Sequence, residues 1–173
     1  IGFLETYGID KGVLSSVKEI AEINNKVTTN TLIVGGPKKK LDEITDYIEK
    51  INQRENFTIK DFMPHTKVPE LISDLNIGIV PYPNDEHMSL YASPLKIFEF
   101  ASCGIPVLLS NIKSHLELEE LDLGLEFFQH DDFDDFRNKL ESLILNDELR
   151  TELSKKSLKN IDKLSWSSRT KKI

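Results

Sequence analysis

The sequence has 173 residues, of which 39% are hydrophobic and 29% charged, a balance typical of a globular domain with a buried core. Its formal charge of −7 argues against a nucleic-acid polymer as a partner, because such binding depends on a basic surface that neutralises many phosphates. The apolar runs are far shorter than the ~20 residues that span a bilayer, and the one cysteine, Cys103, cannot form an internal disulfide.

Strands and helices alternate along the sequence. Apolar and β-branched runs predict strands, and apolar residues spaced three or four apart predict helices between them. In chain order we predict strands at 1–4, 31–34, 57–59, 76–80, 105–109 and 125–128, and helices at 13–24, 41–51, 68–73, 93–102, 133–144 and from 147 onward. Residues 81–92, rich in Pro, Asn, Asp and Ser, are predicted as the longest loop. The alternation predicts one α/β domain over residues 1–173, a Rossmann-like doubly wound parallel sheet of about six strands.

The most informative segment runs from Tyr91 to Pro106 and reads YASPLKIFEFASCGIP. Ser93 is a suitable helix N-cap and Pro94 a suitable first helical residue, so the backbone amides near Leu95 should be available to an anion. Lys96 lies at the same helix end, where the helix dipole disfavours a cation, and a bound anion would explain its placement. Ligands of such sheets bind at the carboxyl ends of the strands, so we expect the anion there.

Glu99 follows Lys96 by three residues and has two interpretations. The spacing predicts an i,i+3 ion pair between these two side chains, which on a surface stabilises a helix by about 0.2–0.5 kcal/mol. Alternatively, the Glu99 carboxylate could accept two hydrogen bonds from the vicinal hydroxyls of a ribose, as acidic residues do in dinucleotide sites. The spacing by itself favours the ion pair.

Metal chemistry has little support in the sequence. The four histidines have no metal-ligand spacing, and Asp131 and Asp132 are better suited to capping the helix that follows them. Gly35 and Gly36 end the second strand without the GxGxxG pattern of a dinucleotide site. We therefore expect no metal site and no cofactor.

The segment Ser93–Val107, SPLKIFEFASCGIPV, resembles the signature of the large retaining family of GT-B glycosyltransferases, known as group 1. Weaker likenesses follow in that family's order: GFLETYGIDKG, LIVGGP, FTIKDFMPHTKVPELISDLNIGIVPY, IPVLLSNIKSHLELE and SWSSR. The resemblance implies that the chain is the C-terminal half of a GT-B fold, which binds the nucleotide-sugar donor. It also implies an N-terminal domain, absent from this chain, that binds the acceptor.

The resemblance implies a role for each matching residue. Glu99 would bind the ribose hydroxyls, and the amides near Leu95 would meet the diphosphate. Lys11 resembles the lysine that neutralises the diphosphate as it leaves, and Lys96 would add positive charge. The other substrate-binding positions implied are Ser93 and Pro94 in the signature, and Met63, Pro64 and His65, whose backbone would frame the base.

Two positions depart from the family pattern. Tyr91 stands where a second glutamate commonly contacts the sugar, and Thr6 stands where an arginine usually precedes the diphosphate lysine. Lys96 would supply the charge that Thr6 lacks.

These observations lead to a hypothesis for the reaction: transfer of a hexose from a UDP- or GDP-sugar to an acceptor. Fixed positive groups, Lys11, Lys96 and the helix amides, would stabilise the leaving diphosphate without a metal. The N-terminal domain would bind the acceptor, so this chain alone should bind donor without turnover. Any association with a membrane surface would come through that domain, and the lone thiol favours a cytoplasmic location.

Two other functions stay open at this point. A nucleotide-sugar epimerase shares the two-domain architecture, but would need a histidine or carboxylate set at the cleft between domains. A non-catalytic binding or scaffolding module would have kept the fold after losing its chemistry, and the departures at Tyr91 and Thr6 are consistent with it.

Overall fold

The computed structural model describes residues 1–4, 12–92 and 95–164. These residues form a six-stranded sheet in which every neighbouring pair is parallel, in the order β3-β2-β1-β4-β5-β6. The strands are β1 (Gly2–Leu4), β2 (Thr31–Val34), β3 (Phe57–Lys60), β4 (Gly78–Val80), β5 (Val107–Ser110) and β6 (Leu125–Phe128). The predicted Rossmann-like α/β sheet is confirmed, and its strand order reverses beside β1, the switch point at which such sheets bind ligands.

Helices cover both faces of the sheet. They are α1 (Val13–Asn24), α2 (Lys38–Lys50), α3 (Val68–Ser73), α4 (Glu86–Leu90), α5 (Leu95–Ser102), α6 (Lys113–Leu116), α7 (Phe133–Leu145) and α8 (Asp147–Ile161). Alternate strand residues enter two separate cores: Phe3 and Ile33 belong to the core under α1, α2 and α7, and Leu4 and Val34 to the core under α3 and α5. Burial on both faces explains why β1, β4 and β5 read as nearly continuous apolar runs.

The prediction of an uninterrupted loop at 81–92 is wrong, because α4 lies inside it. Asp85 caps this helix by accepting a hydrogen bond from the Met88 amide at 2.8 Å. The Met88 side chain is buried and packs into the core beneath α5. A cap and one buried side chain are enough to fold five residues that show no helical period in the sequence.

Helix α5 lies unusually close to the sheet. Phe100 and Ile97 are fully buried, and the Phe100 ring covers Gly78 in β4. A Cβ added to Gly78 would lie 2.7 Å from Phe100 Cδ2, well inside van der Waals contact. The absence of a side chain at Gly78 therefore sets the height of α5 above β4.

We predict that Gly78→Ala lowers the free energy of unfolding by about 1–3 kcal/mol, the usual cost of overpacking a core. Combining it with Phe100→Leu, which vacates the space that the new methyl group needs, should cost less than the sum of the two single changes. Chemical denaturation of the wild type, both single variants and the double variant measures this coupling. Strictly additive losses would contradict the assigned contact.

Candidate functional site

A cleft of about 150 Å³ opens at the carboxyl ends of β1 and β2, beside the start of α5. Its lining residues come from β1, β2, the segment after β3, α3 and α5: Leu4, Val34, Gly35, Phe62, Met63, His65, Val68 and Lys96. Three residues predicted from the sequence lie around this cleft: Met63 and His65, from the segment after β3, and Lys96, from α5 much later in the chain.

The Glu99 carboxylate lies between two nitrogen partners, the Lys96 ammonium and the His65 imidazole. Lys96 Nζ is 3.0 Å from Glu99 Oε2, and His65 Nε2 is 3.1 Å from Glu99 Oε1. The side chains of Lys96 and Glu99 are only 16% and 19% exposed, whereas that of His65 is 80% exposed. The ion pair expected from the i,i+3 spacing is present, but it lies at the rim of a cleft and not on an open surface.

The burial of this pair changes its energetics. A carboxylate and an ammonium that have lost most of their water depend on each other, because removing either leaves a poorly solvated charge behind. Lys96 also lies in the first turn of α5, where the helix dipole opposes its charge. The ion pair with Glu99 offsets that repulsion.

Three other predicted site residues lie in the described part of the chain. Leu95, the first residue of α5, and Tyr91, at the end of α4, are largely exposed. Pro64 is exposed and directly precedes the 3₁₀ turn His65–Lys67. Thr6, Lys11, Ser93 and Pro94 lie outside the described residues, as does the SWSSR segment.

A polar cluster at the carboxyl ends of β4, β5 and β6 was not foreseen. His130 Nδ1 lies 2.8 Å from Asn111 Oδ1, and His130 Nε2 lies 2.9 Å from Asn84 Nδ2. Ser89 Oγ donates to Asn84 Oδ1 at 2.6 Å, which ties α4 into the cluster. Asn111 and His130 each follow a predicted strand, and this position is the signal that could have brought them together.

His115 is a buried histidine with a structural role. Its Nδ1 lies 2.8 Å from the Ser110 carbonyl oxygen, so this nitrogen carries the proton, while Nε2 has no hydrogen-bond partner in the described part of the chain. The ring packs on Tyr82, with centroids 5.1 Å apart. Burial lowers the His115 pKa to about 4, although the bond to Ser110 acts in the opposite direction. His115 is therefore neutral at pH 7 and stabilises the segment that follows β4.

The structure also tests the helix-capping role predicted for Asp131 and Asp132. Asp132 caps α7 as expected, accepting from the Asp135 amide at 2.9 Å, whereas Asp131 adopts a left-handed backbone conformation. Residues 1–4, 12–92 and 95–164 contain no group of three His, Cys, Asp or Glu side chains placed to hold a metal ion. Within the same residues, no helix is long and apolar enough to cross a membrane.

The sequence model of the family described as "Glycosyl transferases group 1" matches residues 1–160 of this chain. No curated protein matches the sequence. Among solved structures, the C-terminal domain of LpcC, a glycosyl transferase group 1 family protein from Francisella tularensis, superposes with a TM-score of 0.74 at 13% identity. That match covers 93% of this chain and 83% of the LpcC domain.

Two further structures have the same fold. HepE from Anabaena, in complex with UDP, gives a TM-score of 0.73 at 15% identity and covers 94% of this chain and 43% of HepE. The catalytic domain of cholesterol-α-glucosyltransferase from Helicobacter pylori gives 0.73 at 16% identity, with 95% and 99% covered. The chain spans less than half of HepE, and 42% of the glycosyltransferase WaaG. At identities of 13–17%, the likeness to these structures shows the fold.

We predict that His115 makes the protein less stable as the pH falls from about 6.5 to 4. In that window the unfolded state binds a proton on this histidine and the folded state does not, so acid favours unfolding by up to about 3 kcal/mol. Unfolding free energies of wild type and His115→Gln across this range isolate the effect, because the variant should lose less stability in acid. Exposed His87→Gln is the matched control, and a pH-independent difference between wild type and His115→Gln would contradict the assignment.

Proposed function

Because the chain belongs to the group 1 glycosyl transferases, we propose that it is the part of such an enzyme that binds a nucleoside-diphosphate sugar of the UDP or GDP type. The cleft beside Glu99 would take the nucleoside, and the start of α5 the diphosphate. The observation that best supports this is the mostly buried pair of Lys96 and Glu99 at the rim of the cleft. HepE, which has the same fold, has been solved with UDP.

The proposed role of Glu99 is to accept hydrogen bonds from the two ribose hydroxyls. An ionised carboxylate has two acceptor oxygens and no donor, which matches two vicinal hydroxyl donors. Hydrogen bonds to a charged acceptor are about twice as strong as neutral ones, and a side chain only 19% exposed forms them with little competition from water. The base would then lie toward Met63 and Pro64, on the far side of the cleft.

The proposed role of Lys96 is to neutralise the diphosphate. The first backbone amides of α5, beginning at Leu95, have no acceptor within the helix and are available to an anion. A diphosphate there would also relieve the unfavourable placement of Lys96 at a positive helix end. Lys11 would add a second positive charge, and Ser93, Pro94 and Thr6 would adjoin the same phosphates.

In the reaction we propose, the bond between the sugar's anomeric carbon and the diphosphate oxygen breaks, and an acceptor oxygen takes the hexose. Charge develops on the departing diphosphate, and Lys96, Lys11 and the α5 amides would stabilise it, so that this scheme needs no metal. An N-terminal domain would bind the acceptor and supply any base, and the protein would act in the cytoplasm.

A non-catalytic binding module is the second candidate, and Tyr91 is the observation that favours it. This residue is 70% exposed, and it stands where the family pattern has a glutamate that contacts the sugar. Sugar transfer by the full-length protein, lost in Glu99→Ala, would favour the enzyme. Biological activity that persists without Glu99 would favour the module.

We predict that one of UDP, GDP and ADP binds this chain saturably in calorimetric titrations. Glu99→Gln, which removes the charge but keeps the size, should weaken that binding about tenfold or more, since hydrogen bonds to a charged group contribute about 1.5–3 kcal/mol. Lys96→Met should weaken binding of the nucleoside diphosphate far more than it weakens binding of the nucleoside alone.

The ion pair between Glu152 and Lys156 on α8 provides the matched control. Glu152→Gln removes the same charge from an exposed pair on another helix, and it should leave nucleotide affinity unchanged. Binding that is as tight in Glu99→Gln as in wild type, with all samples folded, would remove the carboxylate from the proposed site.

A further inference from the structure

The bond between His65 and Glu99 joins two elements that are distant in the sequence. His65 begins the 3₁₀ turn after β3, and Glu99 lies in the middle of α5, 34 residues later. The turn itself is held in place by the Lys67 amide, which bonds to the Pro64 carbonyl at 2.9 Å, and by Val68, which is buried below it. His65 therefore has a fixed backbone and a side chain that reaches across the cleft.

The two partners of Glu99 differ sharply in exposure. Lys96 is 16% exposed and lies one helical turn away on the same helix, so the helix itself holds it near Glu99. The His65 side chain is 80% exposed and lies over the cleft from the opposite wall. An exposed ion pair or hydrogen bond of this kind contributes little free energy and is easily exchanged.

We propose that His65 competes with the nucleotide for Glu99, and acts as a displaceable cap on the carboxylate. This inference rests on the proposed function. The imidazole bonds to Glu99 Oε1, and a ribose hydroxyl takes its place when the nucleotide enters. His65 is then a residue that sets donor affinity by opposing it, while Lys96 stays in place on Oε2.

The cap has a physical reason. Glu99 has lost most of its water, and a second hydrogen-bond partner satisfies Oε1 until the ligand does. Binding then exchanges one hydrogen bond for another, so part of the free energy of the ribose contact is used to displace His65. Removing the imidazole should leave Glu99 with an open acceptor and raise affinity.

The experiment compares nucleotide affinity in wild type, His65→Ala, Glu99→Gln and the double variant, by calorimetric titration with UDP, GDP and ADP. We expect His65→Ala to tighten binding of the preferred nucleotide about two- to fivefold. In the Glu99→Gln background the same change should give no gain, because the bond that it relieves is already weakened. The 2′,3′-dideoxy form of that nucleotide lacks both hydroxyls, so it should bind His65→Ala no more tightly than it binds wild type.

Lys67→Ala is the matched control, because Lys67 lies in the same turn, is exposed, and pairs with Glu70 instead. It should leave the affinity unchanged, and thermal unfolding of every variant checks that the turn is intact. Weaker or unchanged binding in His65→Ala, with wild type still dependent on Glu99, would overturn the cap and keep the proposed function. Failure of folded wild type to bind any nucleotide would overturn both.

Discussion

The contact of Phe100 with Gly78 is the constraint on which the candidate site depends. It holds α5 directly against β4, next to the switch point of the sheet. Because burial of Phe100 and Ile97 keeps α5 packed on the sheet, the first turn of the helix stays at the carboxyl edge. The side chains of Lys96 and Glu99 therefore project to the rim of the cleft. Packing in the core thus determines where the charges lie, and any chemistry at this edge follows from that placement.

The carboxylate at the rim has a partner on each oxygen. Glu99 pairs with Lys96, which is mostly buried on the same helix, and with His65, which is exposed and reaches from the opposite wall. Under the proposed function, a ligand that displaces one of these bonds would replace it with its own, so no buried charge would be left alone. The second polar cluster, built on Asn84, Asn111 and His130, holds the segment after β4 in place. This segment is the part of the chain that leads to α5.

The sheet could be predicted from the sequence because buried parallel strands read as apolar runs whose ends are marked by glycine and proline. Helix α4 could not, since five residues are too few for a helical period and its stability comes from the Asp85 cap and burial of Met88. The pair of Lys96 with Glu99 followed from local spacing. The bond between His65 and Glu99 did not, because it depends on the path of the turn after β3, which no local pattern encodes.

The central claim is that the Glu99 carboxylate binds the ribose of a nucleoside diphosphate whose phosphates lie at the start of α5. A crystal structure of the chain with the nucleotide that it prefers tests this most directly. The account predicts both ribose hydroxyls within hydrogen-bond distance of the Glu99 oxygens, with Lys96 beside the diphosphate. A nucleotide bound elsewhere, for example against Asn84 and His130, would contradict the claim. So would a bound nucleotide whose ribose leaves Glu99 paired with both His65 and Lys96.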